Sequence, residues 1–190
     1  EKILALCNEL LSPDGIAYIS YNTLPGWNTV RSIRDMMKYH TNDISDPQSK
    51  AQQARAVLDF VLAGLKGDSS SYANFLREEA KLLSQVRDNY LLHDHLEVEN
   101  NPVYFYEFIN MANRHNLQYL ADTSVSSMFT GNLPKETADK LQWLSSLINI
   151  EQYMDFIRNR RFRRTLLCRK EQQIQRNIES SDIENFYLST

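Results

Sequence analysis

The chain has 190 residues, 42% hydrophobic and 24% charged, with a formal net charge of −3, enough for a folded domain burying about 70% of its extended surface. So weak a net field favours neither nucleic acid nor an anionic membrane as partner. No apolar run approaches the ~20 residues of a membrane-spanning helix and no signal sequence opens the chain; Cys7 and Cys168 form no Cys-x-x-Cys pair, so a soluble protein of a reducing cytoplasm is expected, with neither disulfide framework nor zinc knuckle.

Residues 2 to 11 read as an amphipathic helix that the turn Ser12-Pro13-Asp14-Gly15 stops, since Pro sets one dihedral and Gly permits a positive one. Ile16 to Tyr21 is a short apolar and aromatic run between turn residues, which predicts a buried strand flanked by helices. Asn22 to Trp27 is a loop broken by Pro25-Gly26, followed by a helix with Val30, Ile33 and Met37 on one face and Arg31, Arg34 and Lys38 beside them. Asp46-Pro47 suits a cap and first-turn proline for a helix whose buried stripe is Ala54, Val57, Leu58, Val61, Leu62 and Leu65.

One continuous helix is expected from about Tyr72 to Leu92, with Phe75, Leu76, Leu83, Val86 and Tyr90 on its apolar face. Another starts at Pro102 and buries Phe105, Phe108, Ile109 and Ala112, and Leu117 to Leu120 reads as a short strand or an extended connection. Pro134 opens a helix with the stripe Leu141, Leu144 and Ile148; Asn149-Ile150-Glu151-Gln152 resembles a capping box for the next. Thr165 to Cys168 reads as a strand, and Ser181-Asp182-Ile183-Glu184 as a second box opening a last helix. The chain starts at Glu1 inside helical spacing and stops soon after Leu188, so both ends look severed, as in a fragment of a larger protein.

Glycine is scarce. Gly15, Gly26, Gly64, Gly67 and Gly131 form no Gly-x-Gly, whereas a backbone that cradles a nucleotide needs clustered glycines. No nucleophile elbow, phosphate loop or His-Glu-x-x-His is present either, so independent catalysis is not expected. His93, Asp94, His95 and Glu97 are the densest group of metal-ligand types, but no third ligand accompanies one face, and helix-end capping or a polar contact is preferred to a metal. Arg158, Arg160, Arg161, Arg163 and Arg164 form a run for an acidic surface or phosphate backbone; paired arginines closing a helix are the plainer alternative. Nucleic acid is the less favoured partner, because no exposed aromatics are interleaved in a globally basic domain. Tyr18, Tyr21, Asn22, Pro25 and Trp27 surround the end of the first predicted strand, where ligands lie in open α/β sheets.

Leu10 through Tyr21, Leu-Leu-Ser-Pro-Asp-Gly-Ile-Ala-Tyr-Ile-Ser-Tyr, resembles the helix, turn and fifth strand of Rossmann-like S-adenosylmethionine methyltransferases. Its continuation, Tyr21-Asn22-Thr23-Leu24-Pro25-Gly26-Trp27 into Ile33-Arg34-Asp35-Met36-Met37, resembles the junction with the predicted methyltransferase regulatory domain of bacterial enzymes. Three further stretches are similar to the same family: His93-Asp94-His95-Leu96-Glu97 to Asn101-Pro102-Val103-Tyr104-Phe105, Leu117 to Ala121, and Glu151 to Phe156 with Arg161 to Leu167. The family usually has His-Glu-His or His-Glu-Tyr where this chain has His93-Asp94-His95.

The resemblance implies a mainly α fold, a helical bundle with a few short strands that include a remnant of a Rossmann-like methyltransferase sheet. Residues 1–27 would be that remnant and 28–190 the helical regulatory or substrate-recognition domain. The implied function is regulation or substrate recognition in a bacterial, cytoplasmic methyltransferase, with protein lysines as acceptor. S-adenosylmethionine is implied for the full-length protein and no cofactor for this segment. The implied partners are an N-terminal methyltransferase domain and a protein substrate, with no membrane. Tyr21, Asn22, Trp27, His93 and His95 are the candidate substrate contacts, Arg158, Arg161, Arg163 and Arg164 the candidate interaction residues, and no metal ligand or catalytic residue is assigned. The alternative is a stand-alone protein-interaction module.

Overall fold

The computed structural model describes residues 1–176 together with Ser181 and Glu184; the last predicted helix otherwise lies outside them. The fold is mainly α with one three-stranded sheet. In chain order the elements are α1 (Lys2–Leu10), β1 (Ile16–Asn22), α2 (Gly26–His40), α3 (Pro47–Gly64), α4 (Ser71–Gln85), a short α5 (Asp88–Tyr90) running into a π-helical turn (Leu91–His95), α6 (Phe105–Arg114), β2 (Leu117–Asp122), two 3-10 turns, α7 (Lys135–Gln142), α8 (Leu147–Arg158) and β3 (Phe162–Arg169). No helix is long and apolar enough to cross a membrane.

The described residues divide into two compact units that alternate along the sequence: those in 1–20, 106–143 and from 164 onward form one, residues 21–105 and 144–163 the other. The pairing of β2 with the sequence-distant β3 is what makes the first unit discontinuous.

The first unit carries most of the sheet, in the order β1-β3-β2. β2 and β3 are antiparallel, from Leu117 opposite Arg169 to Asp122 opposite Thr165, with a bulge between Tyr119 and Ala121. Arg169 donates to the Leu11 carbonyl through Nε at 3.1 Å and so fastens the end of α1 to the last strand. β1 sits at one edge and is half-buried: Ala17 is covered while Ile16 and Tyr18 are exposed. The fully buried strand expected from its apolar run is therefore not what forms, because only one of its edges is paired.

The second unit is a helical core. Ile33 and Met37 of α2, Ala51, Ala54 and Leu58 of α3, Leu76 and Leu83 of α4, and Leu91 and Leu96 beyond form one buried cluster. The predicted caps hold in part. Asp46 accepts from Ser49 N at 2.8 Å with Pro47 in the first turn, whereas α8 is capped by Ser146 and not by Asn149, which lies inside the helix as the residue whose N–H the cap receives. Asn159 closes α8 at φ +47, a left-handed value that Asn tolerates better than most residues.

The expected long helix from Tyr72 to Leu92 is broken. Val86 is extended (ψ 153), ending α4 at Gln85. Arg55 of α3 holds the break, donating to the Leu83 carbonyl at 3.3 Å, the Val86 carbonyl at 2.8 Å and the Asp88 carboxylate at 2.5 Å. The chain restarts as a π turn, in which Leu96 N reaches the Leu91 carbonyl at 3.2 Å. Arg34, expected on a basic stripe, is buried and donates to the Glu97 carbonyl at 2.5 Å, anchoring the far end of the turn.

Candidate functional site

The site grows out of the loop that delivers Trp27. Thr23 N donates to the Arg161 carbonyl at 2.9 Å, Leu24 N to the Val103 carbonyl at 3.1 Å and Gly26 N to the Arg160 carbonyl at 3.0 Å; the Thr23 hydroxyl also donates to the Val103 carbonyl at 2.9 Å. A Cβ on Gly26 would sit 2.2 Å from the Asn159 carbonyl oxygen. Glycine is thus required for the loop to lie against the segment after α8, with the Leu24-Pro25 peptide cis. Trp27 follows at once and is buried.

Trp27 stacks on His95, ring centroids 5.7 Å apart and planes 28° from parallel. Tyr90 tilts against the same imidazole at 6.1 Å. These rings line a cavity of about 500 Å³ within the second unit. Val30, Leu83 and Val86 supply aliphatic wall, Leu82 and Phe162 reach it from more exposed positions, and Asn22 and Gln85 add amides. The charged lining is Glu79, Asp94 and Arg161.

Glu79 is buried and ion-paired with Arg161 at 2.5 Å. Desolvation first, then the neighbouring Asp94 carboxylate, push the Tyr90 phenol pKa up. His95 is 5% exposed and its Nδ1 has no hydrogen-bond partner. Burial holds the imidazole below its ordinary value of 6.5, against the pull of Asp94 and Glu79 and with the help of Arg34 and Arg161. At neutral pH the ring is neutral, with one nitrogen able to accept a proton or hydrogen bond. π turns of this kind often occur at functional sites, because the extra residue re-aims a side chain.

Of the five predicted substrate contacts, Asn22, Trp27 and His95 come together on the cavity. His93 is exposed and outside its lining, and Tyr21 is half-buried outside it too. The predicted interaction arginines separate: Arg161 pairs with Glu79 at the cavity, Arg164 is exposed and donates to the Ser124 hydroxyl at 3.1 Å, and Arg158 is half-buried. Arg163 is 1% exposed and cannot meet an external partner. Its Nε and Nη2 donate to Asp155 at 2.8 Å each, Nη2 also to Glu151 at 2.9 Å, and its guanidinium lies 3.8 Å from the Phe105 ring centre. Hydrogen bonds and charge from Asp155 and Glu151 raise its pKa despite its burial. Among the described residues no group of three or more His, Cys, Asp or Glu is placed to hold a metal ion.

The sequence reading missed Glu79, Leu82 and Arg161 as neighbours in one cavity. A signal existed for Glu79, since a carboxylate sits between Leu76 and Leu83 on an apolar helical face.

The chain is similar to several known proteins. An uncharacterized protein of Rickettsia prowazekii is 51% identical over 188 residues, 99% of this chain and 34% of that protein. An uncharacterized protein of Synechocystis is 25% identical over 173 residues, again 34% of its length. PKMT2 from Rickettsia typhi superposes with a TM-score of 0.84 at 48% identity, over 98% of this chain and 35% of PKMT2, and its complex with AdoHcy gives the same TM-score at 49% identity. The chain thus spans about a third of the length of these relatives. Residues 87–169, somewhat under half of the chain, match the model of the predicted methyltransferase regulatory domain.

Proposed function

We infer that this chain is the acceptor-recognition and regulatory part of a bacterial S-adenosylmethionine-dependent methyltransferase acting on protein lysines. The observation that carries the reading is the cavity walled by Trp27, Tyr90 and His95, with the Asp94 carboxylate and the Glu79–Arg161 ion pair in its lining. Such a mostly apolar pocket with a few convergent polar groups is the usual form of a ligand site. The high similarity to the lysine methyltransferase PKMT2, including its AdoHcy complex, supports the reaction class, and the free thiols Cys7 and Cys168 support a cytoplasmic setting.

The sheet supports the partner. We read residues 1–27, extended by β2 and β3 with which β1 shares its sheet, as the last part of a Rossmann-like methyltransferase sheet, and the remaining helices as the regulatory domain. α1 and β1 expose Ile3, Leu6, Leu10, Ile16 and Tyr18, an apolar surface larger than scattered residues explain. An N-terminal methyltransferase domain is the occupant we assign to it. S-adenosylmethionine is assigned to the methyltransferase domain, because the five glycines of this chain are scattered and form no Gly-x-Gly.

A substitution at the cavity mouth tests the reading. Leu82 is 53% exposed, so Leu82→Trp fills the opening without disturbing the core. In the full-length enzyme it should lower kcat/KM for the protein acceptor about tenfold and leave S-adenosylmethionine affinity unchanged. Unaltered kcat/KM would remove the cavity from acceptor recognition.

A further inference from the structure

The lining of this cavity discriminates among chemical classes. Two carboxylates, Glu79 and Asp94, face one guanidinium, Arg161, and the imidazole beside them carries no charge at neutral pH. The cavity is therefore net acidic. Arg161 is engaged with Glu79, while Asp94, half-buried at the cavity wall, has acceptor capacity to offer, because an ionised carboxylate has about four lone-pair sites. An anionic ligand would meet this carboxylate with no free cation of the lining to offset it.

Most of the remaining lining is carbon. Trp27 and Tyr90 offer ring surface, and a cation within about 6 Å of an aromatic face gains ~0.5–2 kcal/mol, most on Trp. The acceptors of the lining are the Asp94 carboxylate, the amide oxygens of Asn22 and Gln85, and Glu79, which Arg161 already engages. A primary ammonium brings three N–H donors and a strongly held water shell. Each methyl group on its nitrogen removes one donor, spreads the charge onto carbon and weakens that shell while the charge remains. The charge still meets Asp94, while the methyl groups match the largely carbon lining and its rings better than a hydrated ammonium does.

From this lining we propose that the cavity binds the methylated ammonium of a lysine side chain in preference to the unmethylated one, so that this region reads the product of methyl transfer. The inference rests on the acceptor-recognition reading for the source of the lysine, and adds that mono- and dimethyl-lysine are its preferred occupants. Asp94 supplies the charge, and Trp27 and Tyr90 supply ring surface for the methyl groups.

The chain reports on its own cavity. Its two tryptophans are Trp27 and Trp143, and Trp143 is 90% exposed, so Trp143→Phe leaves Trp27 as the single emitter. Nα-acetyl-lysine amide and its mono-, di- and trimethyl forms are titrated against Trp27 emission, with an uncharged tert-butyl isostere of the trimethyl side chain as control. Mono- or dimethyl-lysine should bind about fivefold or more tighter than unmethylated lysine, the isostere should not saturate, and Leu82→Arg or Asp94→Asn should each weaken the cation about fivefold or more. Equal affinity for lysine and dimethyl-lysine, equal affinity for the isostere, or no saturable signal from a chain with a cooperative thermal transition overturns the proposal. The two readings fail separately. Selective binding with unaltered transfer by Leu82→Trp would sink the acceptor reading alone, and impaired transfer without selectivity would sink the product-reading proposal alone.

Discussion

Two buried polar clusters of the second unit, whose arginines Arg161 and Arg163 stand two residues apart in sequence, contrast sharply. Around Arg163 the guanidinium places three short hydrogen bonds on the carboxylates of Asp155 and Glu151, with the Phe105 ring against its face. Around His95 the imidazole is packed between rings and its Nδ1 accepts nothing. A well-bonded buried charge orders the fold, whereas a buried polar atom without a partner among the described residues carries a desolvation cost that the packing around it must offset. Neighbouring arginines of one run thus serve opposite ends: Arg163 holds the helix α8 to the strand that follows it, and Arg161 shapes a binding wall.

The largest effect expected from breaking this contrast is at Arg163. Arg163→Met leaves the Asp155 and Glu151 carboxylates buried without their cation, which should cost about 3–5 kcal/mol of unfolding free energy by urea denaturation. A loss below about 1 kcal/mol would show the cluster to be more solvated than its burial indicates. Gly26→Ala comes next. Its methyl would meet the Asn159 and Arg160 backbone at 2.2–2.5 Å, so destabilisation of about 1–3 kcal/mol is expected, with Trp27 emission shifted as the loop moves.

His95 gives a smaller, pH-dependent effect. Its folded pKa is depressed mainly by burial, so the unfolded chain takes up the proton first as pH falls. Stability from the neutral ring is full above pH 6.5 and declines below it, by at most about 1.4 kcal/mol per pH unit, until the folded pKa is reached. His95→Phe keeps an aromatic ring without a titrating nitrogen and should flatten the change in urea midpoint between pH 7.5 and 5.5. An unchanged slope would assign the acid sensitivity elsewhere. Asp46→Ala, which removes the cap accepting from Ser49 N, should cost about 1 kcal/mol and leave the cavity untouched.

Periodicity and caps made the helices legible. Asp46-Pro47 announced α3, and the stripe Val30, Ile33 and Met37 announced α2, because each is written in local spacing. The break after Gln85 was hidden for the same reason: Leu83, Val86 and Tyr90 keep helical spacing across it, and the group that stabilises it, Arg55, lies 28 to 33 residues away. The cavity depends on that break and on the π turn, so its full membership could not be read from spacing. Trp27 and His95 were nevertheless singled out, one by its loop and one by its polar cluster; that they stack on each other is a tertiary fact. The same holds for Arg163, whose place in an arginine run gave no sign that it is buried while Arg164 is exposed.

Hydrogen exchange on the full-length enzyme, with and without its protein acceptor, asks most directly whether this cavity is where the acceptor is read. Slowed exchange at Gly26 to Val30 and at Asp88 to Leu96, with the first turns of α3 unaltered, is the expected result. Acceptor-dependent protection confined to segments away from Trp27 and His95, such as Leu117 to Asp122, would contradict it.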